Sequence, residues 1–227
     1  MPDVIISGPA GRLEGKYSPA KENAAPVALI LHAHPRGGGH MDTPVPLQMY
    51  DTFKQRGFSV LRFNFRGVGR SQGVYEQGLG ELSDAATALD WIQAHNTHAP
   101  YCWVAGHSFG AWIGMQLLMR RPEIAGFVSV SPPTNMYDFT FLAPCPASGI
   151  VVHGESDTIV PYEEMERVMS KVRTQKGIEI TRKAVPGAGH LFTDHLDDLE
   201  REVSGYLDER LAILDAPRIE AAEEDGE

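Results

Sequence analysis

Five segments of helical spacing are interleaved with short, almost unbroken apolar runs, and this alternation limits the chain more than any other feature. "PVALILHAH" (Pro26–His34) is followed by "PLQMYDTFKQRG", and "FSVLRFNF" (Phe58–Phe65) by "ELSDAATALDWIQAH". "YCWVAGH" (Tyr101–His107) leads into "FGAWIGMQLLMRR", which Pro122 stops. "IAGFVSVS" (Ile124–Ser131) and "SGIVVHG" (Ser148–Gly154) precede "YEEMERVMSKVRTQKG". "IEITRKAV" (Ile178–Val185) precedes "LDDLEREVSGYLDERLAIL". A strand with no polar face must be buried on both sides, as strands of parallel sheets are. The order predicts an α/β fold, a mostly parallel central sheet with helices on both faces. Ile178–Val185 alternates more and suits an edge strand. Val4–Ser7 and Arg12–Tyr17 are expected to add a small antiparallel hairpin at one edge.

The chain has 227 residues, enough for one sizeable core, and neither a repeat nor a low-complexity linker divides it. We expect one domain over 1–214. The last segment, 215–227, carries six acids against Arg218 alone, which accounts for half of the formal charge of −10. Such a tail is expected to be solvated and disordered. The rest is mildly acidic without a basic stripe, which argues against a nucleic-acid partner. No apolar run approaches the roughly 18 residues that span a bilayer, and the first residues do not resemble a signal peptide. Cys102 and Cys145, far apart in sequence, are expected to be buried free thiols in a reducing cytoplasm. Nothing in the composition sets the oligomeric state.

Within this frame Gly106-His107-Ser108-Phe109-Gly110 falls where a buried run meets a helix. As a bare pattern, Gly-x-Ser-x-Gly occurs by chance. On a tight strand-to-helix turn it lifts a serine hydroxyl above the sheet, and the flanking glycines remove the collisions that side chains would cause. A hydroxyl attacks only when a base takes its proton and a carboxylate orients that base. "VVHGESDTIVP" puts Asp157 in the loop after one buried run, and "VPGAGHLF" puts His190 after the last strand. All three positions fall at carboxyl ends of strands, where sites in such sheets gather.

In this order, Ser108, Asp157, His190, the residues resemble the nucleophile elbow, acid loop and histidine loop of the α/β-hydrolase family. The resemblance runs from Pro26 to the last helix. "LHAHPRGGGH" and "RFNFRGVGRS" most resemble small bacterial hydrolases related to dienelactone hydrolase. Classical dienelactone hydrolases use a cysteine where Ser108 stands, so that reaction is not expected. Asn64 also departs from the family's usual aspartate, outside the triad. The resemblance implies an oxyanion hole whose first donor is the backbone N–H of Phe109. The family's "HGx" turn aligns with Ala33 in the glycine position, which makes the His34 N–H the second donor. Arg36 and Gly37 are alternatives, whereas Pro35 has no N–H to give. No cofactor and no metal is implied.

Rival residues surround these. Asp138 lies where some family members place the acid, but lacks the turn context of "GESDTIVP". His195 falls inside a helical run and is expected at the surface. His32, His34 and His40 lack a paired cysteine or carboxylate and are expected to line the mouth of the site. Only "PPTNMYDFTFLAPCPA" stands where relatives insert a lid, so a minimal lid is expected, with Tyr137, Phe139 and Phe141 either walling an acyl pocket or packing the core. Arg36 is either solvated or placed to attract an anionic substrate group. The expected function is a serine hydrolase that cleaves a small-molecule carboxylic ester through an acyl-enzyme. A thioesterase or peptidase on the same residues and a non-catalytic binding protein of the same fold are the alternatives.

Overall fold

The computed structural model describes residues 3–215. The chain forms β1 (Asp3–Gly8), β2 (Gly11–Ser18), β3 (Val27–Leu31), α1 (Pro44–Gln55), β4 (Ser59–Phe63) and α2 (Leu79–Ala94). There follow β5 (Cys102–His107), α3 (Phe109–Leu118), β6 (Ile124–Val130), β7 (Gly149–Gly154), α4 (Tyr162–Met169), β8 (Ile180–Val185) and α5 (Leu196–Leu214). Among the described residues the strands make one eight-stranded sheet in the order β1-β2-β4-β3-β5-β6-β7-β8. The β1–β2 hairpin joins β4 antiparallel, and every pairing from β4 to β8 is parallel. The hairpin sits at one edge and β8 at the other, as the sequence predicts.

The apolar runs are unbroken because each strand feeds two cores. Leu29, Leu61, Val104 and Val151 face α2, α3 and α4, packing with Ala85, Leu89, Ile113 and Met165. Their neighbours Ala28, Ile30, Trp103 and Val152 face α1 and α5, against Met49, Phe53, Val203 and Leu207. Successive side chains of a strand point to opposite faces, so a strand covered on both sides is mostly apolar along its whole length.

One helix departs from the sequence pattern. The spacing predicts a helix over 162–177, yet α4 stops at Met169. The following chain is drawn into extended pairing, the Cys145 N–H donating to the Arg173 carbonyl and the Gln175 N–H to the Cys145 carbonyl. Cys145 is itself buried in the core, which fixes the position of that pairing. Both cysteines are buried and free. No described helix is long and apolar enough to cross a membrane. The acidic tail lies outside the described residues save Asp215, whose carboxylate accepts the Tyr101 hydroxyl at 2.9 Å.

Candidate active site

Ser108 stands between β5 and α3 with φ 53° and ψ −117°, a left-handed conformation that costs of order 1–3 kcal/mol and persists only where its surroundings hold it. Its N–H donates to the Val130 carbonyl at 2.8 Å, which ties the turn to the neighbouring strand. The flanking glycines are required by close approach. A Cβ on Gly106 would lie 2.3 Å from the Gly110 carbonyl oxygen, and one on Gly110 would lie 2.4 Å from that of Leu31. Phe109 is the first residue of α3, so its N–H belongs to the first turn, whose donors have no partner within the helix.

The structure brings the three residues of the sequence reading together. The Ser108 Oγ is 2.9 Å from His190 Nε2, and His190 Nδ1 is 2.7 Å from Asp157 Oδ2. With Nδ1–H donating to the carboxylate, Nε2 is left bare to accept the serine proton. Asp157 Oδ1 accepts the N–H groups of Ile159 and Val160, each at 2.8 Å. Burial opposes the charge on Asp157, but the hydrogen bonds from His190 and the two backbone donors outweigh it and hold the carboxyl below its usual range. Asp138 is exposed and bonded to Thr140, away from this line. His195 precedes α5 and pairs with Asp198 at 2.9 Å.

Buried groups behind this line do not follow from the sequence reading. His107 Nε2–H donates to the His190 carbonyl at 3.0 Å, and the Ser131 hydroxyl donates to the same oxygen at 3.2 Å. The histidine loop is thereby stapled to the serine turn. His153 Nε2–H donates to the Val160 carbonyl at 2.8 Å and lies 3.3 Å from Asp157 Oδ2. Burial pushes His107 down to about 4 and lowers His153 as well, so both rings are neutral supports at neutral pH. The available signal was a histidine inside, or at the end of, an otherwise apolar buried run.

The histidines after β3 separate. His32 does not line the mouth, contrary to expectation. It is wholly buried, accepting the Phe65 N–H at 3.0 Å and donating to the Ala33 carbonyl at 2.7 Å, and burial pushes it down to about 3. Phe65 has to bond its N–H somewhere inside the core, and a neutral imidazole meets that need. His40 is exposed and accepts the Asp42 N–H. His34 alone flanks the site, its ring 5.1 Å from that of Phe109 and its Nε2 3.0 Å from the Tyr75 hydroxyl. Its Nδ1 accepts the Arg36 N–H at 3.0 Å, and its carbonyl accepts the Gly37 N–H at 2.9 Å. Asn64 bridges two segments, accepting the Met41 N–H and donating to Glu14. Among the described residues no group of three or more His, Cys, Asp or Glu side chains is placed to hold a metal ion.

The segment between β6 and β7 does not rise over the site. Phe139, Leu142 and Cys145 are buried in the core, and Phe141 packs half-buried against it. Tyr137 packs at the start of α3, stacked on Trp112 at 4.2 Å and 6.0 Å from Phe109, the residue after Ser108. A cavity of about 160 Å³ lies between the loop after β3 and the histidine loop, lined by Ala33, Gly37, Gly38, Gly39, His107 and Leu191. A larger depression, about 620 Å³, lies at the amino ends of the strands beside Pro26, Phe58 and Tyr101, the opposite end from Ser108.

Against known families, residues 16–149 match the X-Pro dipeptidyl-peptidase (S15) family, a match that ends before Asp157 and His190. An uncharacterized protein of Rickettsia prowazekii is 44% identical over 211 residues, covering 91% of this chain and 89% of its own length. Lysophosphatidylserine lipase ABHD12 of Xenopus tropicalis is 28% identical over 203 residues, covering 71% of this chain and 50% of the lipase, so the chain spans half of that relative. Among solved structures, a putative alpha/beta hydrolase from Agrobacterium tumefaciens superposes with a TM-score of 0.90 at 56% identity, covering 92% of this chain and 96% of that one. XC6422 of Xanthomonas campestris, described as an a/b serine hydrolase without lid, has a TM-score of 0.84 at 26% identity, covering 92% of this chain and 94% of its own.

Proposed function

Since the chain belongs to the X-Pro dipeptidyl-peptidase (S15) family of the α/β serine hydrolases, we propose that it cleaves small carboxylic esters through an acyl-enzyme on Ser108. The observation that carries this is the unbroken line from the Ser108 hydroxyl through His190 to Asp157. In the first step His190 Nε2 takes the proton as Ser108 Oγ adds to the ester carbonyl. Asp157 holds the ring in place and stabilises the imidazolium that forms. The proton then passes from His190 to the departing alkoxide, leaving an acyl-serine and an alcohol. A water, deprotonated by the same nitrogen, adds to the acyl carbon, and as the carbon–Oγ bond breaks His190 returns the proton to Ser108 and the acid leaves.

The tetrahedral oxygen needs donors fixed in advance. The N–H of Phe109 is one. Arg36 and Gly37 have their N–H groups committed to His34, which favours the His34 N–H as the second. His34→Ala keeps that donor and is expected to lose little beyond packing against Phe109 and Tyr75. His34→Pro removes it, with an expected loss of about 10²–10³ in kcat, provided circular dichroism shows a folded protein. Near-native activity of a folded proline variant would take His34 out of the hole.

With a short segment in place of a lid and a small glycine-walled cavity beside the histidine loop, short acyl chains should react best. A panel of p-nitrophenyl esters tests this, and higher kcat/KM on palmitoyl than on butyryl esters would overturn it. The S15 match supports a second reading, hydrolysis of X-Pro dipeptide amides, on the same three residues. Gly-Pro-p-nitroanilide belongs in the same panel, and its turnover in preference to butyryl ester would replace the esterase reading.

A further inference from the structure

One flank of the serine is built of rings. Phe109, almost wholly buried, forms a floor on which Tyr75, Trp112, Tyr137 and His34 stand half-buried, with ring centroids 5.1–6.0 Å from its own. The polar edges of this shelf are tied together. The Tyr75 hydroxyl meets His34 Nε2 at 3.0 Å. At the outer end the Arg36 guanidinium carbon lies over the Tyr75 ring, 4.7 Å from its centroid. Its own backbone N–H is bonded to His34, so the arginine starts from a fixed point beside the serine turn.

The nearby acids are engaged elsewhere. Glu81 is buried and accepts the N–H groups of Glu76 and Gly78, while Glu76 pairs with Arg66. Among the described residues no carboxylate comes within ion-pair distance of Arg36. A guanidinium stacked on a ring keeps its N–H edges free and pre-oriented for a planar carboxylate. The protein as a whole is acidic and repels anions, so a cation at this one place changes what can approach the serine.

We propose that Arg36 and the shelf of Tyr75, Phe109, Trp112 and Tyr137 form a substrate subsite selecting esters whose aromatic portion carries a carboxylate. The rings take the aromatic face in offset or edge contact, and Arg36 takes the carboxylate in a two-pronged hydrogen bond. The subsite rests on the esterase reading above and gives it a substrate class.

The test uses two matched pairs of esters. Phenyl acetate and 4-acetoxybenzoate differ by a carboxylate on the leaving group, and methyl benzoate and monomethyl terephthalate by one on the acyl group. Each is measured with the native chain and with Arg36→Gln, an exposed position outside the proton-transfer line and the oxyanion hole. In at least one pair, the anionic-to-neutral ratio of kcat/KM is expected to fall about tenfold in Arg36→Gln, with the neutral ester unchanged. That gap should narrow in high salt, because an exposed ion pair is screened. Ratios equal in native and variant for both pairs would overturn the subsite while leaving the esterase reading in place. Failure of the native chain to hydrolyse any of the four while it turns over p-nitrophenyl butyrate would overturn the subsite alone, and failure on all five would sink both.

Discussion

Ser108→Ala is expected to abolish labelling by a fluorophosphonate probe and to lower kcat by about 10⁴-fold or more, roughly 5 kcal/mol of transition-state stabilisation. Among the described residues the hydroxyl bonded to His190 Nε2 is that of Ser108, and the substitution removes it. The fold should survive. The backbone bond from Ser108 N–H to the Val130 carbonyl does not involve the side chain, and the positive φ is held by that bond and by the packing of the two glycines. Mass spectrometry of the labelled native protein should place the phosphonate on Ser108. A folded alanine variant that still took up the probe, or kept near-native esterase activity, would show the nucleophile to be elsewhere.

Asp157→Asn is expected to cost nearly as much, about 10⁴ in kcat with KM little changed. An asparagine can keep its oxygen toward the Ile159 and Val160 N–H groups, which leaves the acid loop in place. Its amide then points at His190 Nδ1, where a carboxylate now accepts a hydrogen bond. Facing a donor, His190 must present Nδ1 without hydrogen and carry its proton on Nε2, the nitrogen that has to accept from Ser108. The same amide would stand against the Nε2–H of His153, which lies 3.3 Å from Oδ2, donor facing donor. A folded Asn variant with native kcat would remove Asp157 from the mechanism.

The variants share one structural cause. Serine turn, acid loop and histidine loop leave the carboxyl ends of the parallel strands β5, β7 and β8 of one sheet, and His107 and Ser131 bind the histidine loop from below. Their alignment is a property of the sheet as much as of the three side chains.

Much of this was legible in the chain alone. Two-sided burial leaves apolar runs, helix faces leave a different period, and a glycine on either side of a serine marks a turn with no room for side chains. Those signals are local, and local physics set the strand positions, the elbow and the order of Ser108, Asp157 and His190. What depended on contacts distant in sequence was decided only by the tertiary structure. α4 ends at Met169 because Cys145, from another loop, recruits the chain that would have continued it. His32 is drawn inside to meet the Phe65 N–H, while His34, two residues on, turns out toward Tyr75 and Phe109. Of three aromatic residues in the short segment after β6, Phe139 is buried in the core, Phe141 stacks on Phe139, and Tyr137 meets Phe109 and Trp112 at the start of α3. Sequence spacing determines which face of its own element a side chain occupies. The partner it finds there comes from other elements, and only the packed fold brings them within hydrogen-bond reach.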